Sequence, residues 1–157
     1  MKKVVSIIVL TFLLVSCALE SEFSLPNNQL TSRDLLGTWH PKGEKGDLIF
    51  KANSDNTFSV TMIDDKGEKT IISPNAYTSI INNYSLLNLV HTSKDGKKSN
   101  IFYGYRLSTN NFSFRPVNDK FSDIKISSNE ELLNYFEENI SKKDFFEDWN
   151  EEQFQKK

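Results

Sequence analysis

The chain has 157 residues with 19 basic and 21 acidic side chains, a formal charge of −2. That balance is too mild to argue for a nucleic-acid partner, and the length fits one domain of ordinary size. A single cysteine excludes a disulfide within one copy, so stability must come from an apolar core or a partner; twelve phenylalanines, five tyrosines and two tryptophans supply the material.

Met1-Lys2-Lys3 forms a positive opening, and Val4 to Val15 is an uncharged apolar run of twelve residues. A bilayer core of ~30 Å needs about 20 helical residues, so the run is too short to span and reads as a secretory segment. It ends in Leu14-Val15-Ser16-Cys17, which resembles the lipobox of bacterial lipoproteins. The resemblance implies cleavage before Cys17, diacylglycerylation of its thiol and attachment to the cell envelope. Two acyl chains of the palmitate class, at ~0.8 kcal/mol per buried methylene, suffice for stable anchoring. The residue after the cysteine is Ala18 and not Asp, which by the same resemblance implies the outer membrane in a diderm bacterium. In a monoderm it implies the outer face of the cytoplasmic membrane. Removal of residues 1–16 leaves 141 residues with 17 basic and 21 acidic side chains, the excess acid lying in 129–157.

Residues 17–31 carry Glu20, Glu22, Pro26, Asn27 and Asn28 without a sustained period and read as a lipidated flexible tether. Residues 32–128 read as a series of short strands separated by turns. Leu48-Ile49-Phe50 ends in the turn Asn53-Ser54-Asp55-Asn56. Thr57 to Met62 alternates, with Phe58, Val60 and Met62 on one face. Asp64-Asp65-Lys66-Gly67 is a hairpin loop, and Pro74-Asn75 breaks the run that begins at Lys69. Tyr77–Ile81 and Tyr84–His91 follow, divided by Asn82-Asn83 as a turn or a kink. Lys94-Asp95-Gly96-Lys97 is a second hairpin loop. Ile101, Tyr103, Tyr105 and Leu107 share a face; Phe112–Phe114 and Phe121–Ile126 complete the series. About eight short antiparallel strands with tight turns have a natural solution in a closed up-and-down barrel, which leaves no unpaired edge. The fold class is therefore mainly β.

From Ser128 the period changes. Ser128-Asn129-Glu130-Glu131 is a capping-box pattern, and Leu132, Leu133, Phe136 and Ile140 follow at helical spacing. Ser141-Lys142-Lys143-Asp144 opens a second helix or extended turn carrying Phe145, Phe146, Trp149 and Phe154. Residues 129–157 thus read as a helical segment packed on the barrel.

Leu35-Leu36-Gly37-Thr38-Trp39 resembles the Gly-x-Trp signature that opens the first strand of lipocalins and their relatives. The resemblance covers residues 30–140 in plan, with Thr31–Asp34 as the helical turn before the motif and a helix after the barrel. It implies that Trp39 closes the barrel base beneath a basic side chain from near the last strand, with Arg115 the first candidate and Arg106 the second. It also implies a fatty acid, lipid fragment or similar hydrophobic ligand inside the barrel. The Thr-Asp-Tyr motif and the disulfide common in that family are missing, which puts a large open cup in doubt.

Catalytic signatures are missing too. His40 and His91 stand far apart in sequence, outside any His-Glu-x-x-His frame, and no Gly-x-Ser-x-Gly elbow occurs. Asn53, Asp55, Thr57 and Asp64 have the spacing of a calcium loop, but Phe58 replaces the glycine that its turn needs. No cofactor or metal is expected, and a binding protein is expected rather than an enzyme. Phe58, Tyr84, Tyr103, Tyr105, Phe112 and Phe114 are the candidate ligand-binding residues, because rings with a few hydroxyls suit a small-molecule site. The same rings equally suit the filling of a small barrel. In that case the protein works through its outer surface on an envelope protein, as an inhibitor, adhesin or assembly factor.

Overall fold

The computed structural model describes residues 18–121, 124–147 and 153–157; the apolar leader, Cys17 and Trp149 lie outside the described residues. The elements are β1 (Glu20–Ser21), β2 (Gly37–Pro41), β3 (Asp47–Ala52), β4 (Phe58–Ile63), β5 (Lys69–Ile81), β6 (Tyr84–Thr92), β7 (Lys98–Leu107), β8 (Asn111–Pro116), helix α1 (Asn129–Asn139) and β9 (Gln153–Lys156). Strands β2 to β9 pair antiparallel with their neighbours in chain order. The β9–β2 pairing closes them into an eight-stranded up-and-down barrel, and β1 adds to the free part of β7. The expected mainly-β barrel is the fold.

Local chemistry fixes the joints. Asn82 and Asn83 both take positive φ, 47° and 67°, which makes the two-residue connection a tight hairpin turn of the kind asparagine tolerates. Pro74 and Asn75 do not break β5. The register shifts there by a bulge, and Ser73 repairs the ladder: its Oγ accepts from Val90 N and donates to Val90 O, both at 2.9 Å.

Side-chain alternation sorts the apolar residues into two cores. The inward one contains Leu35, Trp39, Leu48, Phe50, Phe58, Val60, Leu87, Leu89, Tyr103, Tyr105, Phe112 and Phe154. The outward one contains Leu19, Leu25, Ile81, Leu86, Phe102, Leu132, Tyr135, Phe136, Ile140, Phe145 and Phe146, and lies between the outer face of the sheet and α1. Ser128 caps α1 by accepting from Glu131 N at 3.1 Å. Glu131 turns back to Ser127 N at 2.8 Å, one residue earlier than the capping box anticipates.

Three expectations are corrected. The described residues of Phe121–Ile126 form no strand: Pro116 ends β8 without an N–H, Asn118 N donates to Phe145 O, and Asp119–Phe121 is a 3₁₀ turn. Among the described residues after Asn139 there is no second helix. The chain turns at Ile140–Asp144 and finishes in β9, so Phe154 lies inside the barrel and not on its outside. Residues 18–31 are not a free tether, because Leu19 and Leu25 are buried in the outer core.

Candidate functional site

The Gly-x-Trp motif is explained by what surrounds it. Leu35 N donates to Ser32 O in the turn before β2, and Leu35 O accepts the indole N–H of Trp39 at 2.8 Å. Trp39 is fully buried, so this bond removes the cost of a stranded donor. Gly37 has φ +124°, and a Cβ there would stand 3.3 Å from Lys156 Cε. The ammonium of Lys156 lies 5.4 Å from the centre of the Trp39 ring and donates to Asp34 O at 2.7 Å. The basic partner of the tryptophan is thus Lys156 from the last strand. Arg115 and Arg106 face outward from neighbouring positions of β8 and β7, and the Arg115 guanidinium lies 4.2 Å over the Phe146 ring.

Five of the six candidate ligand residues meet inside the barrel. Phe58, Tyr103, Tyr105 and Phe112 are buried, and Phe114 is half-buried against them. Phe112 is the hub, with ring centres 5.5 Å from Trp39, 5.4 Å from Phe50, 6.2 Å from Tyr105, 5.6 Å from Phe114 and 6.0 Å from Phe154. Phe58 joins through Phe50 at 5.8 Å, and Tyr103 through Phe114 at 5.4 Å. Burial pushes the Tyr103 hydroxyl far above its ordinary range, and the nearby Glu147 carboxylate adds to the shift. Burial also raises Tyr105, opposed by hydrogen bonds that include one to Gln29 Oε1 at 3.3 Å. Both phenols are therefore neutral at any physiological pH. Met62, Ile72 and Ile101 are half-buried against this cluster.

Tyr84 is the exception. It begins β6 facing outward and stacks on Phe146 at 6.1 Å. Phe146 lies directly on Gly104, where a Cβ would come within 2.7 Å of its ring. Beside this stack runs an open groove of about 690 Å³, walled by Gln29, Asn83, Tyr84, Tyr105, Arg106 and Arg115. Its volume falls in the range of small-ligand sites. Sequence reasoning missed the groove, because Gly104 carries no periodic signal and Phe146 reads as one more ring on a helix.

The other polar candidates resolve into structural roles. Asn53, Asp55 and Thr57 bond to one another in a turn, with Thr57 Oγ1 on Asp55 Oδ1 at 2.6 Å and Asn53 Nδ2 on Thr57 Oγ1 at 2.9 Å. Asp64 lies beyond the opposite end of β4, where its carboxylate accepts from Lys66 N and Glu68 N. His40 Nδ1 is 3.0 Å from Asp47 Oδ1, and Lys157 Nζ holds the other oxygen of Asp47 at 2.7 Å. No cluster of potential metal ligands occurs among the described residues.

These features define a mainly-β protein with a closed, lipocalin-like barrel of eight antiparallel strands. Compared with family models, curated proteins and solved structures, the chain matches none.

Proposed function

We propose that this chain is an envelope lipoprotein, anchored by an acylated Cys17, whose filled barrel binds a partner through its outer surface. The packing around Phe112 carries the reading. Five inward rings surround Phe112, each within 6.2 Å of its centre, where a lipid-carrying barrel needs open space. The outer groove beside Phe146 is the contact offered to an envelope protein. The outer membrane is the address in a diderm source.

A second reading keeps a small hydrophobic ligand. Half-buried Met62, Ile72 and Ile101 on the inner cluster favour it, since an acyl chain resting there would gain ~25 cal/mol per Å² of apolar surface covered. Native mass spectrometry on the secreted chain carrying Cys17→Ser separates the two. A clean mass after challenge with fatty acids and phospholipids is the expected result. An added mass that survives desalting and disappears on unfolding overturns the filled-barrel reading in favour of the carrier.

A further inference from the structure

Resting on the acylation of Cys17, we infer that the barrel is held flank-on against the lipid surface of its own membrane, with no slack in the connection. Fourteen free residues would average ~20 Å end to end and reach ~50 Å at full stretch. Residues 18–31 have none of that freedom. Ala18 bridges Asn118, and Leu19 N donates to Val117 O at 2.8 Å, with the Leu19 side chain buried. Further along, Asn100 Nδ2 donates to Phe23 O at 3.0 Å, Tyr77 OH to Leu25 O at 2.9 Å and Ser79 Oγ to Pro26 O at 2.6 Å. The side chain of Asn28 imitates a strand residue, accepting from Ile80 N at 2.9 Å and donating to Ile80 O at 3.1 Å.

The docked segment therefore begins at the residue next to the anchor. Adjacent α-carbons are 3.8 Å apart, so the acylated cysteine cannot stand far from the Val117–Asn118 corner of the barrel. That corner leads into Lys120, Ile124 and Lys125, all exposed, and Ile124 is one of only four large apolar side chains exposed among the described residues. Asp119 and Asp123 offset the two lysines along this stretch, so the contact rests on the exposed Ile124 side chain, which can insert among lipid headgroups. The opposite wall, on β3 and β4, then faces the aqueous space.

The test uses the full acylated chain in vesicles of phosphatidylethanolamine and phosphatidylglycerol that contain a headgroup-quenching lipid. The acyl mass on Cys17 is measured first. An unmodified Cys17 removes the anchoring reading and this inference with it. With acylation confirmed, a fluorophore on Lys120→Cys is expected to be quenched several-fold more than one on Lys51→Cys, which projects from the opposite wall. A ten-residue Gly-Ser insertion between Cys17 and Ala18, with a span of about 17 Å, is expected to erase that difference while leaving the barrel intact. Equal quenching at both positions in the uninserted, acylated chain overturns the inference and leaves the anchor standing.

Discussion

The two cores use the same kinds of side chain under different enclosures. Inside the barrel, Trp39, Phe50, Phe58, Phe112 and Phe154 are walled by strands on all sides. Outside it, Phe102, Phe136, Phe145 and Phe146 lie beneath one eleven-residue helix and the loops around it, with ring centres 5.1–5.2 Å apart. A wall of paired strands cannot fall inward without breaking hydrogen bonds, whereas a helix can slide to fill a gap. The same ring should therefore be worth more in the closed core than in the covered one.

The largest expected effect follows directly. Phe112→Ala removes the hub of the inner rings and should cost close to ~5 kcal/mol, the upper part of the range for a buried phenylalanine, read from urea unfolding. Phe136→Ala should cost nearer ~3 kcal/mol, because α1 can settle onto Phe102 and Phe145. Hydrogen exchange sharpens the contrast: Phe136→Ala should expose the amides of α1 while β3 and β4 keep their protection. If helix and barrel lose protection together, the two cores are one cooperative unit and the distinction fails.

A third change acts on the seam between sheet and outer loops. Gly104→Ala drives a methyl into the Phe146 ring and should cost ~1–3 kcal/mol. Combining it with Phe146→Ala should recover part of that loss, measured as a coupling in a double-mutant cycle. Additive losses would mean that the contact is not what the glycine protects. Smaller again is Ser128→Ala, about 1 kcal/mol for the lost cap of α1, visible as reduced helical signal near the transition.

The smallest effect is electrostatic. Burial pushes the Asp47 carboxyl up, but hydrogen bonds and charge from Lys157 and His40 outweigh it and hold its pKa below the usual carboxylate range. A depressed folded pKa contributes stability above the unfolded pKa and loses it as pH falls through the folded value. Asp47→Asn should therefore cost under ~1 kcal/mol at neutral pH, and its difference from the unmodified chain should vanish in strong acid. A difference that persists at pH 2 would assign the cost to packing.

What the sequence made legible was whatever local chemistry decides. The alternation of Phe58, Val60 and Met62, the Asn82-Asn83 turn and the capping serine all state their structure within a few residues. The Gly-x-Trp motif marked the first barrel strand for the same reason. β9 was not legible. Its single buried ring stands between two glutamines, and the run is strand only because the gap between β8 and β2 offers hydrogen bonds on both sides. Lys156 was missed as the partner of Trp39 for that reason, and Arg115 is not that partner because its place in β8 faces it outward. The N-terminal segment misled in the opposite way: Pro26, Asn27 and Asn28 look unstructured, yet Asn28 spends its amide on the backbone of β5. The rings chosen as pocket lining were correctly gathered on one face, except Tyr84, but a face pattern cannot say whether the enclosed space is empty.

The position of β9 also sets a clock. The strand that seals the barrel occupies residues 153–156, while its partner β2 begins at residue 37. Pairings so distant along the chain form slowly, since the loop between them must close before any contact rewards it. Newly made chain reaching β8 has seven of the eight staves but two open edges, and the sealing stave arrives last. Under the proposed export of this chain as an extended thread, the late arrival of that stave keeps the barrel open until the whole chain is present.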